Sequence, residues 1–310
     1  MEPKRVIRNS IGLLLAMILI LLGYVRRAKQ RAFRKEIITA IAFHNPNKKL
    51  FKKIIVWLKS NGFVFISSDH LIDILNKEST CPKGAVWISL DDGWKENIDN
   101  VLPIAVQYNV PITIFVCTDG VEEGTFWWSK VKQSFALIPL EFHDINAIKK
   151  LPDDNRRQLL RIIDQNESSF PREAMTIEAI KGISEIPQIT IGVHTVAHPI
   201  LPNCTENQIE YELAESKRKL EAWIGKPIKT FAYPNGSFDG RERRFLMEYG
   251  YEVAATTESK FARSDNDRYL LPRNIVMDDG SFSENLCHAL GIWEPFIKKL
   301  KQVFINRVHL

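Results

Sequence analysis

The stretch AVWISLDDGW, residues 85–94, decides how the rest of the chain is read. A run rich in β-formers, Ala85 to Leu90, climbs to two adjacent acids, Asp91 and Asp92, with Gly93 immediately after. Two carboxylates at the mouth of a buried strand repel one another and lose hydration. A bound cation offsets both costs if the rest of the chain supplies further ligands. The ordinary alternative is a turn, since Asp favours turns and Gly supplies positive φ.

Outward from this stretch, strands and helices alternate. EIITAIAFH (36–44) reads as a strand, NKKLFKKIIVWLKSNG (47–62) as an amphipathic helix ending at Gly62, and FVFIS (63–67) as a short strand. A helix over 95–108 follows the acidic pair, and then the strand PITIFVC (111–117). A mixed segment, 119–185, holds Trp127, Trp128 and the helical NRRQLLRIIDQNES. QITIGVHT (188–195) returns to strand. Thr205 and Gln208 form a capping-box pattern that opens a long helix, closed by Gly225. IKTFAYP (228–234), YEVAATT (251–257) and YLLPRNIV (269–276) are three more strands, with a helix near 239–249. The alternation predicts an α/β fold, a distorted (β/α) barrel of about seven mostly parallel strands.

With 310 residues, 45% hydrophobic and 25% charged, the composition is that of a globular protein and excludes large-scale disorder. The net charge of +5 is concentrated at one end: residues 1–35 hold nine basic side chains against Glu2 alone. The remainder is net acidic, so nucleic acid is not a predicted partner. Cys81, Cys117, Cys204 and Cys287 have no CxxC spacing, which excludes a zinc knuckle and argues against a disulfide framework.

Ile11 to Val25, IGLLLAMILILLGYV, is uncharged and nearly all apolar. As a helix it spans about 22 Å at ~1.5 Å per residue, short of a bilayer core of roughly 30 Å. It crosses with Asn9 and Ser10 drawn in, or lies shallowly in one leaflet. Arg26 and Arg27 follow at once and no small-residue cleavage site does, so the reading is an uncleaved N-terminal membrane helix. Three basic residues precede it and six follow, which by the positive-inside rule puts the following domain in the cytoplasm. The tail WEPFIKKLKQVFINRV (293–308) sets Trp293, Phe296, Ile297, Leu300, Val303 and Phe304 on one helical face.

Polar residues recur at the C-terminal ends of the predicted strands: His44, Asp91 and Asp92, His194 with His198 four residues on, and Tyr233. Arg273 lies within the last strand. Barrels of this kind build their sites at that end. Two histidines and one aspartate make a tridentate set with open positions for water and substrate, as expected of a hydrolytic zinc centre. Nickel, cobalt or manganese fit the same donors.

Four motifs then carry a family resemblance. SLDDG (89–93) resembles the TFDDG motif of the polysaccharide deacetylases, the NodB-homology domain of carbohydrate esterase family four. HTVAHP (194–199) resembles their H[ST]xxHP, FAYPNG (231–236) the version found in poly-N-acetylglucosamine deacetylases, and LPR (271–273) the arginine motif. Ser89 and Leu90 replace Thr and Phe, and Asn235 stands where Tyr is common. The resemblance implies three parts: a basic segment 1–35 with a membrane anchor helix (11–25), a catalytic domain 36–280, and a C-terminal amphipathic helix within 281–310 packed on it.

It also implies roles. Asp92, His194 and His198 hold the divalent metal, zinc foremost. Asp91 is the general base, held by Arg273, and the backbone N–H of Tyr233 stabilises an oxyanion. The general acid is His44, in AIAFHNP (40–46), as in permuted members, or else His288 in Leu286–Cys287–His288. Trp127 and Trp128 wall the substrate or pack the core. The implied reaction removes N-acetyl groups from an N-acetylated sugar, in a surface polysaccharide or its lipid-linked precursor. The alternatives are O-acetyl ester hydrolysis on a polysaccharide, and a catalytically silent, membrane-tethered sugar-binding protein.

Overall fold

The computed structural model describes residues 3–167 and 169–308, with side chains for 6–167 and 169–302. Nine strands form one sheet: β1 (Ile37–Phe43), β2 (Val64–Phe65), β3 (Ala85–Leu90), β4 (Ile112–Val116), β5 (Ile189–Val193), β6 (Thr230–Ala232), β7 (Val253–Ala255), β8 (Ala262–Arg263) and β9 (Asn274–Ile275). Their order is β7-β6-β5-β4-β3-β1-β8, with β2 also paired to β3 and β9 to β1. Every ladder is parallel except that of β1 with β8. The sheet curls. Leu271, just ahead of β9, bridges Ala255 at the far edge, while Asn274 pairs with Ile41 of β1. One short segment therefore touches both ends of a half-barrel, consistent with the (β/α) class the alternation predicts.

The central strands are buried on both faces, and their side chains divide by the two-residue period. Ile41 and Phe43 of β1, Val86, Ile88 and Leu90 of β3, and Ile112, Ile114 and Val116 of β4 face the outer helices. Ile38, Ala40, Trp87 and Phe115 face the inside of the curl, with Ala232, Val253 and Leu271. Continuing that period places Ser89 and then Asp91 toward the inside.

Local chemistry explains where elements differ from expectation. The helix expected over 95–108 is two, Asn97–Asn100 and Leu102–Tyr108, because Pro103 has no N–H to continue the ladder. The strand expected over 269–276 shrinks to β9, since Pro272 cannot donate within it. The helix Glu206–Ile224 carries the capping box, with Thr205 and Gln208 bonded reciprocally, and Gly225 ends it at φ 67°. All four cysteines are free.

The N-terminal segment is not one helix. Pro3–Leu21 and Tyr24–Ala32 meet at a 67° bend, with Gly23 at φ 77°. No single helix among the described residues is long and apolar enough to cross a membrane; Val6–Leu21 and Tyr24–Ala32 reach that length and composition only together. The first helix packs along Phe282–Ala289: Ala16 and Leu19 are buried, and Arg8 pairs with Glu284 at 2.8 Å. Ile7, Leu14, Met17 and Leu21 stay exposed on its other side. The last helix, Trp293–Val308, buries Trp293 and rests Phe296 and Ile297 on the core, while Lys298, Lys299 and Lys301 face out. Val303 and Phe304 lie outside the residues whose side chains are described.

Gly192 of β5 lies directly opposite Phe115, and a Cβ there meets the Phe115 ring and the Thr230 hydroxyl. Gly192→Ala should therefore lose roughly 1–3 kcal/mol of stability by overpacking, read as a lowered midpoint in urea at unchanged slope.

Candidate active site

Asp92, His194 and His198 converge although they are far apart in sequence; one ligand atom from each lies within 4.8 Å of the others. His194 Nε2 is 3.5 Å and His198 Nε2 3.6 Å from the same oxygen, Asp92 Oδ1. The remaining polar atoms around that point fix what is free to ligate. His194 Nδ1 lies 2.7 Å from the Ala232 carbonyl, which makes it the protonated nitrogen and leaves the Nε2 lone pair for a cation. Trp94 Nε1 donates to Asp92 Oδ2 at 2.9 Å, leaving Oδ1 buried without a hydrogen-bond donor among the described residues. Burial holds His198 well below the usual imidazole range, with His194, Lys149 and Arg156 adding to it, so the ring is neutral. An orphaned carboxylate oxygen facing two imidazole Nε2 atoms is a donor set that fits a divalent cation.

The backbone is bent to make this arrangement. Asp92 sits at φ 74° and His198 at φ 49°, in the left-handed region that non-glycine residues seldom occupy. A buried carboxylate holds the loop carrying the histidines. Glu212 accepts from the N–H groups of Val196 (2.8 Å) and Ala197 (2.9 Å), and from Arg157 at 2.7 Å. Arg157 and Arg156 both pair with Asp153, and Arg156 donates to the Ala197 carbonyl. The helix Asp153–Asn166 is thereby tied to the loop that carries His194 and His198.

Asp91 points elsewhere. Arg273 clamps it with two parallel bonds, 2.7 Å to Oδ1 and 2.9 Å to Oδ2. Burial raises the Asp91 carboxyl, but Arg273, with His194 behind it, outweighs burial and holds it below the usual carboxylate value. Arg273 is itself fully buried: it donates to Ser89 Oγ and the Thr256 carbonyl, and lies over the Phe115 ring at 5.3 Å.

A pocket of about 340 Å³ opens beside these groups, lined by His44, both aspartates, Trp94, Trp128, Lys149, Asn235 and Asp278 among others. His44 ends β1, and its carbonyl accepts from the buried Asn97 Nδ2. His288 does not reach the pocket. It is buried on the helix Phe282–Ala289, 5.2 Å from the Trp293 ring, and burial with Arg8 nearby pushes it down to about 4.

Tyr233 needs correction. Its N–H is already given to the Ala255 carbonyl (3.0 Å) in the β6–β7 ladder, and its hydroxyl to the Tyr269 carbonyl (3.0 Å). An oxyanion cannot share that N–H. Two residues on, Asn235 turns to φ 60° at the pocket wall, and its N–H makes no backbone hydrogen bond among the described residues.

The tryptophan pair divides. Trp128 faces the pocket, 4.8 Å from the His198 ring and stacked on Phe126, whereas Trp127 is buried and donates to the His198 carbonyl. Trp94, Lys149 and Glu212 are site residues that sequence reasoning missed. Only Trp94 carried a signal, its place next to the acidic pair.

Comparison with known proteins bears on the family and the fold. A family model described as polysaccharide deacetylase matches residues 78–254, more than half of the chain. That stretch contains Asp91, Asp92, His194 and His198 but neither His44 nor Arg273. A poly-beta-1,6-N-acetyl-D-glucosamine N-deacetylase of Staphylococcus epidermidis is 22% identical over 229 residues, 74% of this chain and 67% of its own. A Bacillus subtilis relative is 22% identical over 226 residues, so the chain spans about two thirds of the length of these curated relatives. Among solved structures, the Streptococcus pyogenes deacetylase PplD, in complex with acetate, superposes with a TM-score of 0.60 at 19% identity, over 83% of this chain and 98% of its own. IcaB from Ammonifex degensii does so with a TM-score of 0.60 at 17% identity, over 83% and 97%. At these identities the structural likeness is one of fold.

Zinc should raise the melting temperature of the wild-type protein, and Asp92→Asn should abolish that rise. Trp94→Phe, which removes only the bond to Asp92 Oδ2, should weaken zinc binding by about 10–100-fold in a calorimetric titration.

Proposed function

This chain belongs to the polysaccharide deacetylase family, and we propose that it is a metal-dependent hydrolase that removes acetyl groups from an N-acetylated sugar, in a surface polysaccharide or its lipid-linked precursor. The observation that carries the reading is the division of labour between adjacent aspartates: Asp92 Oδ1 open toward His194 and His198, Asp91 locked to Arg273. The S. epidermidis relative, whose name specifies N-deacetylation, supports the same chemistry.

Asp92, His194 and His198 hold the cation, zinc foremost. When bound, it polarises the acetyl carbonyl and lowers the pKa of a water molecule toward neutrality. Asp91 is the general base that takes the proton from that water, and Arg273 fixes its carboxylate in the ionised, aimed state this requires. The Asn235 N–H, in place of Tyr233, donates to the developing oxyanion. His44 delivers a proton to the departing nitrogen. An amide needs that delivery because an amide anion is a very poor leaving group, and a histidine at this wall favours amide over ester cleavage. Trp94 and Trp128 offer aromatic faces to the sugar.

The N-terminal helices hold the enzyme at a membrane. With one side packed on the domain and Ile7, Leu14 and Leu21 turned outward, the first helix lies shallowly in one leaflet. The basic helix after the bend sits at the headgroups, and the catalytic domain faces the cytoplasm. Leu14→Asp with Met17→Asp should reduce flotation with anionic vesicles while leaving thermal unfolding cooperative.

Acetate release from N-acetylglucosamine oligomers tests the chemistry. Asp91→Asn should retain zinc and cooperative unfolding and lose about 10²–10⁴-fold in kcat. His44→Ala should lose a comparable factor on amides and less on O-acetyl esters, and His288→Ala should keep wild-type turnover. Full activity in Asp91→Asn overturns the base assignment.

A further inference from the structure

The segment between β4 and β5 brings two lysines to the mouth of the catalytic pocket. Lys132 lies at the end of the helix Trp127–Gln133, and Lys149 directly follows the short helix Ile145–Ile148. Lys149 is half-buried and gives its ammonium to Asn235 Oδ1 at 2.7 Å, a neutral partner. Lys132 is exposed. Among the described residues neither forms an ion pair with a carboxylate. Lys130, two residues before Lys132 on the same helix, is bound by both Glu123 and Asp164 at 2.8 and 2.7 Å. The pairing available to one lysine of this segment is withheld from the two that face the pocket.

No acid of the pocket forms an ion pair with them among the described residues, although the Asp92 charge is near enough to act on Lys149. Asp91 is committed to Arg273, and Asp92 to the cation its geometry fits. Asp278 lies on the His44 side, where it accepts from the Asn45 N–H. Once a divalent ion is bound, the lysine wall is a positive surface in a concave, partly dry site. Such a wall concentrates anions and holds them by charge-assisted hydrogen bonds. A neutral homopolymer offers these ammonium groups only hydroxyl and carbonyl oxygens and no opposite charge.

We infer that the N-acetyl sugar taken by this pocket adjoins an anionic group, a phosphate or a carboxylate, which Lys132 and Lys149 bind. The inference rests on the deacetylase reading and narrows its substrate class. A diphosphate joining the sugar to a lipid carrier and a uronic acid beside it in a polymer present the same anionic oxygens, and the test separates them.

Acetate release is measured on three substrates: a neutral N-acetylglucosamine oligomer, N-acetylglucosamine joined through a diphosphate to a short prenyl chain, and N-acetylglucosamine linked to glucuronic acid. One of the two anionic substrates should exceed the neutral one in kcat/KM by about tenfold or more. Which one does so identifies the source of the charge. In a Lys132→Ala, Lys149→Ala double variant that ratio should fall toward one, and Lys149→Arg should keep it. Reading the ratio within each variant separates charge recognition from any displacement of Asn235, which slows all three substrates alike. A wild-type ratio near one overturns the inference and leaves the deacetylase reading standing, as does a ratio that survives the double substitution. No acetate from any of the three overturns both.

Discussion

The buried pair between Asp91 and Arg273 joins the parts of the fold that make the site. Asp91 directly follows β3 in the middle of the sheet; Arg273 stands in the short segment that touches both β1 and β7. Its side chain also binds Ser89 and Thr256, and it lies on Phe115. A buried ion pair contributes little net stability, yet removing one partner costs about 3–5 kcal/mol because it strands a charge. The pair is better understood as a positioning device. It holds one carboxylate ionised and fixed, in a place where burial alone would raise its pKa.

Asp92 is governed by the opposite need. Its backbone sits at φ 74°, which turns the side chain out of the alternation that sends Asp91 inward. One oxygen is taken by Trp94, and the other is left for a cation. The histidine loop meets it with similar strain at His198, and Glu212 holds that loop through two backbone N–H groups. Strained backbone persists where the surroundings over-determine it. Here the Glu212–Arg157–Asp153 network supplies that constraint, with Glu212 on the helix after β5 and the other two in the segment between β4 and β5.

The sequence was most informative where the signal is local. The runs of β-formers that make β1, β3 and β4, the capping box at Thr205, and the ends of strands at His44, Asp91 and His194 were all legible. Contacts that depend on how distant segments fold back were not. Nothing in the composition of 119–185 placed Lys149 against Asn235, or told Trp127 from Trp128. The reading of 11–25 as one helix missed the bend because Gly23 is silent until its φ is known. Tyr233 failed as an oxyanion donor for a related reason: which N–H groups a sheet ladder uses is a matter of register.

The central claim is that one divalent ion sits among Asp92, His194 and His198, with Asp91 beside it and unligated. Crystals grown with zinc and measured on either side of its absorption edge test this most directly. The account predicts one strong anomalous peak within coordination distance of Asp92 Oδ1 and both Nε2 atoms, with Asp91 still paired to Arg273. A peak that Asp91 ligates, or a zinc-loaded crystal with no peak at this point, would contradict it.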